Sequence, residues 1–216
     1  MELLITPTLL SSLDFAENGP RSWKKRAEAQ LASMVRRERT EMSRPARRGI
    51  EFEDAVYAVC EGEKLAPMTE PLFNEVVADC RGGEFQKVFK RKEEFEGFTS
   101  VFYGKLDVFF PTTITDIKTT ENYKGARKYF GGYQHEMYPW LAGVREFNYL
   151  VAVLDPDLDL AVRKIHILPY KITQSEYDLT SKMRSYVGKV IHGMKSRGLY
   201  DDYVNIFSNG GRHGSK

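Results

Sequence analysis

The chain has little sulfur. Cys60 and Cys80 are its two cysteines and follow no CxxC spacing, which is too few and too scattered to hold a zinc ion or an iron–sulfur cluster unaided. Free thiols in or near the core are expected instead. Long apolar runs are also missing. None approaches the roughly 18 to 20 residues that span a bilayer, and MELLITPTLLSSLDF lacks a basic start, a long apolar centre and a small-residue cleavage site. No membrane partner is expected, and the expected compartment is the cytoplasm. No internal repeat is visible either.

What is present is ordinary in amount. With 216 residues, 42% hydrophobic and 29% charged, the chain is large enough for one domain with a real core, and neither disorder nor a fibrous repeat is indicated. The net charge of +2 conceals an asymmetry. Arg21 to Arg48 holds ten Lys and Arg against three Glu, so the remainder is mildly acidic. Arginines and lysines grip a phosphate backbone whatever its base sequence, which makes Arg36, Arg37, Arg39, Arg44, Arg47 and Arg48, with Lys124 further on, candidates for nucleic-acid contacts. A solvated helical face is the alternative.

The pattern of elements reads helices, strands, helix, strands, helix. TPTLLSSLDFA starts as a short capped helix, NGP breaks it, and a second helix is predicted from Ser22 to Met42. Pro45 and Gly49 punctuate before EFEDAVYAVCEG, a helix ending at Gly62. KLAPMTEP reads as a turn, and LFNEVVADCRG as either helix or strand. EFQKVFKRKEEF reads as an edge strand, TSVFYGKLDVFF and TITDIKTT as a hairpin, EFNYLVAVLD and LAVRKIHILPY as two further strands. Glu121 to Val144 reads as helical with a break at Gly131-Gly132 and a kink at Pro139, and the last helix is predicted over Thr173 to Arg197. This order predicts an α/β domain with a mixed central sheet flanked by helices, divided as a basic helical arm at 1–48, a core at 49–207 and a flexible tail at 208–216.

The hairpin contains the unusual residues. With Pro111-Thr112 as a two-residue turn, Phe109 pairs with Ile114, Val108 with Thr115, and Asp107 with Asp116. Opposed residues lie about 4.5 to 5.5 Å apart at Cβ, where like charges are destabilising. A divalent cation between them would compensate, and Lys118 shares the face of Asp116. The same register opposes Lys105 to Lys118, so diagonal Lys–Asp contacts are a second way to balance the face, and a one-residue slip would separate the acids altogether. In the helix that follows, Gln134 and Tyr138 stand one turn apart along the border of an apolar stripe.

GKLD at Gly104–Asp107, DIK at Asp116–Lys118 and QHEMY at Gln134–Tyr138, in that order, resemble the PD-(D/E)XK nuclease superfamily, and in particular its RecB-like and phage-type exonuclease branch. RGIEFE resembles the first motif of that branch, with Glu53 at the helical acid. ITPTLLSSLDFAENGPRSW resembles the N-terminal segment of RecB-like nucleases, with Gly19 where many have a cysteine, so no iron–sulfur cluster is expected.

The resemblance implies a restriction-endonuclease-like core that hydrolyses DNA phosphodiesters. It implies Mg2+ or Mn2+ held by Asp107, Asp116, the carbonyl of Ile117 and Glu53. Lys118 would orient or help deprotonate water, and Gln134 and Tyr138 would complete the site. Action on duplex ends in recombination, repair or phage DNA processing is the mode it favours. An inactive DNA-binding or recombination adaptor and a structure-specific endonuclease stay open, as do a recombination partner protein and an oligomer.

Overall fold

The first forty residues fold as short segments because their helix signals are interrupted. In the computed structural model, which describes residues 2–65, 70–95, 97–158 and 160–209, a strand β1 (Glu2–Ile5) precedes α1 (Pro7–Asn18), capped by the Thr6 hydroxyl, which accepts from the Leu9 N–H. The strand is an addition to the sequence reading. A 3-10 turn (Arg21–Trp23) leads to α2 (Lys24–Val35). The expected helix to Met42 stops early because Arg37 adopts φ 54, a left-handed conformation that no L residue continues as helix.

α3 (Arg44–Cys60) then starts from a Ser43 cap with proline in its first turn. Pro45 and Gly49 are therefore inside a helix rather than between two. Proline is well placed there, since the N–H it lacks has no helical partner at that position. The ambiguous LFNEVVADC is helix, α4 (Pro71–Cys80). β2 (Glu84–Phe95), β3 (Phe98–Phe109) and β4 (Thr113–Thr120) follow.

The helical reading of Glu121–Val144 is corrected to a four-residue α5 (Arg127–Phe130) and α6 (Gln134–Ala142), since Thr120 and Asn122 close a turn and Gly125 takes φ 98. β5 (Glu146–Leu154), β6 (Val162–Lys171), α7 (Glu176–Ser196), α8 (Tyr200–Asp202) and a π-helical turn (Tyr203–Ser208) complete the chain. Half of the expected turn at 64–71 and most of the expected tail lie outside the described residues.

The six strands form one mixed sheet in the order β1-β3-β4-β5-β6, with β2 as an edge against β3. β3 is central and carries three partners. Along one side β2 runs antiparallel to its whole length. The other side is shared, with β1 parallel at Thr99–Phe102 and β4 antiparallel at Val108 and Phe109. β5 then pairs parallel to β4, and β6 antiparallel to β5.

Helices cover both faces. Along β5, Phe147, Tyr149 and Val151 join one core with α1, α2, α6 and α7, whereas Leu150, Ala152 and Leu154 join another with α3 and α4. That alternation is the period of two expected of a strand buried on both sides. Leu9, Leu10, Leu13, Leu31 and Val35, in the stretch read as an arm, are fully buried in the first core, so α1 and α2 are part of the body. No helix among the described residues is long and apolar enough to cross a membrane.

Candidate active site

The β3–β4 hairpin starts in the expected register and then departs from it. Phe110 N–H donates to the Thr113 carbonyl at 2.9 Å, and Phe109–Ile114 and Val108–Thr115 are ladder pairs. The next pair, Asp107 with Asp116, does not form. Instead the Asp107 carboxylate accepts from the Ile117 backbone N–H at 3.0 Å, taking the place of a ladder acceptor as the strands separate. Lys105 is exposed and paired with Val88, so it does not oppose Lys118.

Between β1 and β4, Tyr103–Asp107 of β3 has no strand partner on that side among the described residues. This break in the sheet is where side chains from both faces meet. Across β3, the ladder with β2 omits only Gln86 opposite Asp107. Gln86 takes φ 53 and donates its side-chain amide to the Tyr57 hydroxyl at 2.8 Å.

Two glycines set how closely the helices approach. A Cβ on Gly104 would stand 2.9 Å from the Tyr138 ring, and one on Gly49 would stand 3.1 Å from the Thr119 hydroxyl. Without side chains there, α6 seats against β3 and α3 against β4. Tyr138 and Gln134 thus reach the break from one face. The Gln134 amide donates to Asp116 Oδ1 at 2.7 Å and lies 3.3 Å from the Tyr138 hydroxyl. Glu53 approaches on α3 from the other face, near enough for its ionisation to respond to Lys118 and Asp116.

The electrostatics are those of acids short of partners. Asp116 is 0% exposed, and its Oδ2 is buried without a directed hydrogen bond, meeting the Lys118 ammonium only as an ion pair. Burial raises Asp107 well above the carboxylate range and the Asp116 charge adds to this, while Lys118 and the Ile117 N–H oppose it. Burial raises Asp116 as well, with Lys118 pulling it partly back. Glu53 is pushed up to about 7, chiefly by burial. Lys118 behaves in the opposite way. Burial alone would lower it, but Asp116 and Asp107 hold its ammonium above the ordinary lysine value. Burial next to Asp116 pushes the Tyr138 hydroxyl up to about 12.

These observations bear on a divalent cation. Among the described residues, no three His, Cys, Asp or Glu side chains form a metal cage by themselves. Asp107, Asp116 and the Ile117 carbonyl are nevertheless hard oxygen donors, and the buried Asp116 Oδ2 has the Lys118 ammonium as its partner and no other donor among the described residues. The set fits Mg2+ or Mn2+ with Glu53 at its edge. Both cysteines belong to the second core, Cys80 fully buried within it.

The arginines divide into exposed and engaged groups. Arg39, Arg47 and Lys124 are exposed. Arg36 pairs with Asp202 at 2.8 Å, Arg37 donates to the Phe207 carbonyl at 2.7 Å, and Arg44 to that of Pro156 at 3.1 Å. Arg48 is 6% exposed and its guanidinium donates to the Glu121 carboxylate and the carbonyls of Asp155 and Leu158. It is therefore turned inward, whereas the others are exposed. Sequence reading missed Tyr149, whose backbone pairs with Asp116 and whose hydroxyl is raised by burial and that acid. It also missed Tyr57 and Gln86. A tyrosine within an apolar strand or helix carries no local mark of its neighbours.

The backbone is similar to the crystal structure of SSO0001, with a TM-score of 0.53 and 16% identity over 89% of this chain and 77% of that one. Two further likenesses are to LHK-Exo in complex with dAMP, at TM-score 0.46 and 13% identity over 89% and 90% of the two chains, and to a phage related exonuclease from Haemophilus somnus 129PT, at 0.45 and 13% over 97% of each. No protein-family profile and no curated protein matches the chain. At these identities the likeness to SSO0001 is one of fold, a mixed six-stranded sheet flanked by helices.

Proposed function

We propose that the protein is a metal-dependent deoxyribonuclease of the PD-(D/E)XK class, acting by preference on duplex DNA ends. One observation carries the reading. Asp107, Asp116, Lys118 and Gln134, from three different elements, converge where β3 and β4 separate, and the two acids are buried with fewer donors than they need. Scaffold acids are not left in that state, because each missing partner costs about 1–3 kcal/mol or more.

Asp107, Asp116 and the Ile117 carbonyl would hold Mg2+ or Mn2+, with Glu53 beside them. When bound, such an ion lowers the pKa of coordinated water and offsets charge on phosphate oxygens. The chain's own residues perform the rest. Lys118, held as an ammonium by the two aspartates, orients the attacking water and faces the negative charge that builds on the phosphate. Gln134 fixes Asp116 Oδ1 and so the direction of its remaining oxygen. Tyr138 keeps its proton, being raised to about 12, and serves as a donor. Arg39, Arg47 and Lys124, exposed and without an ion pair among the described residues, would be the phosphate contacts.

The test is incubation of pure protein with end-labelled linear and closed circular DNA, with and without Mg2+. Loss of label from linear DNA only, and only with the ion, is expected. Binding without cleavage under every condition would replace the reading by that of a DNA-binding adaptor.

A further inference from the structure

Beside the site, an aromatic row runs from the buried acids to the surface. The Tyr149 ring lies 5.8 Å from that of Tyr129, Tyr129 lies 6.0 Å from Tyr123 in a nearly parallel arrangement, and Tyr123 stacks on His166 at 3.8 Å and 14°. Register ties the row to the chemistry. Lys118 pairs with Val151 on β5, and Val151 with His166 on β6. His166 and Lys118 thus share one row and one face, about 10 Å apart at two strand spacings.

The segment carrying Tyr123 is fixed. Thr120 and Asn122 close its turn, Arg163 donates to the Glu121 carbonyl at 3.2 Å, and the buried Arg48 holds the Glu121 carboxylate. Tyr123, Tyr129 and His166 are each only half-buried. Positive charge surrounds them: Lys124 and Arg127 are exposed, the Lys128 ammonium lies 5.6 Å over Tyr129, and Lys164 is close enough to His166 to help lower its pKa, although burial contributes more.

We infer that Tyr123, His166 and Tyr129 form a stacking platform for an unpaired base of a single DNA strand whose phosphate lies at Lys118. Flat rings accept any base by stacking, and flanking cations hold the phosphates on either side, which is how proteins follow single strands without reading sequence. A strand threaded through the site would keep the nucleotide next to the cut in register. The inference rests on the nuclease reading for its position, but binding alone can test it.

The experiment measures affinity by fluorescence anisotropy in EDTA, so that no turnover occurs, using labelled thymidine 12-mers that carry one abasic site at each position in turn. For the unaltered protein, one or two adjacent abasic positions should weaken binding roughly five- to a hundredfold, the range for losing one base–aromatic stack. Tyr123→Ala and His166→Ala should weaken binding of the intact oligomer similarly and make the abasic series flat. Tyr123→Phe should restore the wild-type pattern, which separates stacking from collapse of the loop. A flat series for the unaltered protein, or an abasic effect undiminished in Tyr123→Ala, overturns the platform. Cleavage of linear duplex with Mg2+ is scored separately: no cleavage with a position-specific abasic effect overturns the nuclease reading alone, and cleavage with a flat series overturns the platform alone.

Discussion

Helix α6 carries one buried acid and touches another, and the two could hardly differ more. Two residues beyond Gln134, Glu136 is as buried as a core residue, yet Lys182 meets it at 2.5 Å, Tyr186 donates at 2.9 Å and Tyr170 lies at 3.4 Å. Burial would raise its pKa, but Lys182 and Tyr186 bring it below the ordinary glutamate value. Asp116, on the other side of the same helix, has Gln134 and an ion pair, and stays raised. Glu136 has the donors a structural acid needs and ties α6 to α7. The Asp107–Asp116 group lacks them, which leaves it able to take up something else.

Replacing each acid by its amide should break this contrast most clearly. Asp116→Asn should reduce Mg2+-dependent cleavage about a thousandfold or more, since under the proposed reading several kcal/mol of transition-state stabilisation would depend on the ion that Asp116 would help to hold. Its urea midpoint without metal should not fall. Glu136→Gln should show the reverse, losing about 2 kcal/mol of stability, a figure kept low because Lys182 is 41% exposed, with kcat unchanged. Cleavage assays and urea melts on both variants decide the matter. Equal loss of stability in the two would erase the distinction.

Glu53, beside Asp116, and Glu136 should also respond to pH with opposite sign. Glu53 in the raised group has a folded pKa of about 7 against 4.5. Its contribution is favourable below pH 4.5 and is lost as pH rises towards 7, because the unfolded chain gives up that proton first. The loss is on the order of 2 kcal/mol once partial exposure is discounted. Glu136 is lowered, so its contribution is present above 4.5 and disappears on further acidification. Urea melts from about pH 2 to pH 8 should show Glu53→Gln flattening the decline above 4.5, leaving the acid limb to Glu136.

Smaller effects sharpen the same division among the arginines. Arg39→Gln with Arg47→Gln should lower the salt slope of DNA binding by about 2, since each arginine that no longer neutralises a phosphate releases one counterion fewer. Arg48→Gln should leave the slope alone and lower the melting temperature. An unchanged slope in the double variant would reduce both residues to a solvated surface. The least change is expected from Tyr138→Phe, a few-fold in kcat, because the ring still packs against Gly104. Gln134→Ala should exceed it, lowering turnover with little change in affinity.

Local pattern made much of this legible. The two ladder pairs of the hairpin, the positions of Asp107, Asp116 and Lys118, and the one-turn spacing of Gln134 and Tyr138 follow from periods of two and 3.6 residues. The departures are long-range. Asp107 turns to the Ile117 N–H where the two strands separate, and nothing in TITDIKTT announces it. β1 is four residues long and exists because β3 offers it an edge. Arg48 reads like its neighbours in a basic run, and only folding brings Glu121 and the Asp155 carbonyl to it.

The closure around β1 has a consequence in time. The Tyr203 hydroxyl donates to the Leu4 carbonyl, and the Leu4 N–H donates to the Ser208 hydroxyl, hydrogen bonds that span 199 and 204 residues of chain. A ribosome adding about 5–20 residues per second makes the first partner roughly 10–40 s before the second. For that interval β1 has no latch, and for its second half, about 5–20 s after β3 is made, the edge of β3 that β1 covers is open to other strands. A protein synthesised in this order gains from a companion that shields the nascent sheet, and slowing elongation past residue 171 should raise the aggregated fraction in a cell-free translation.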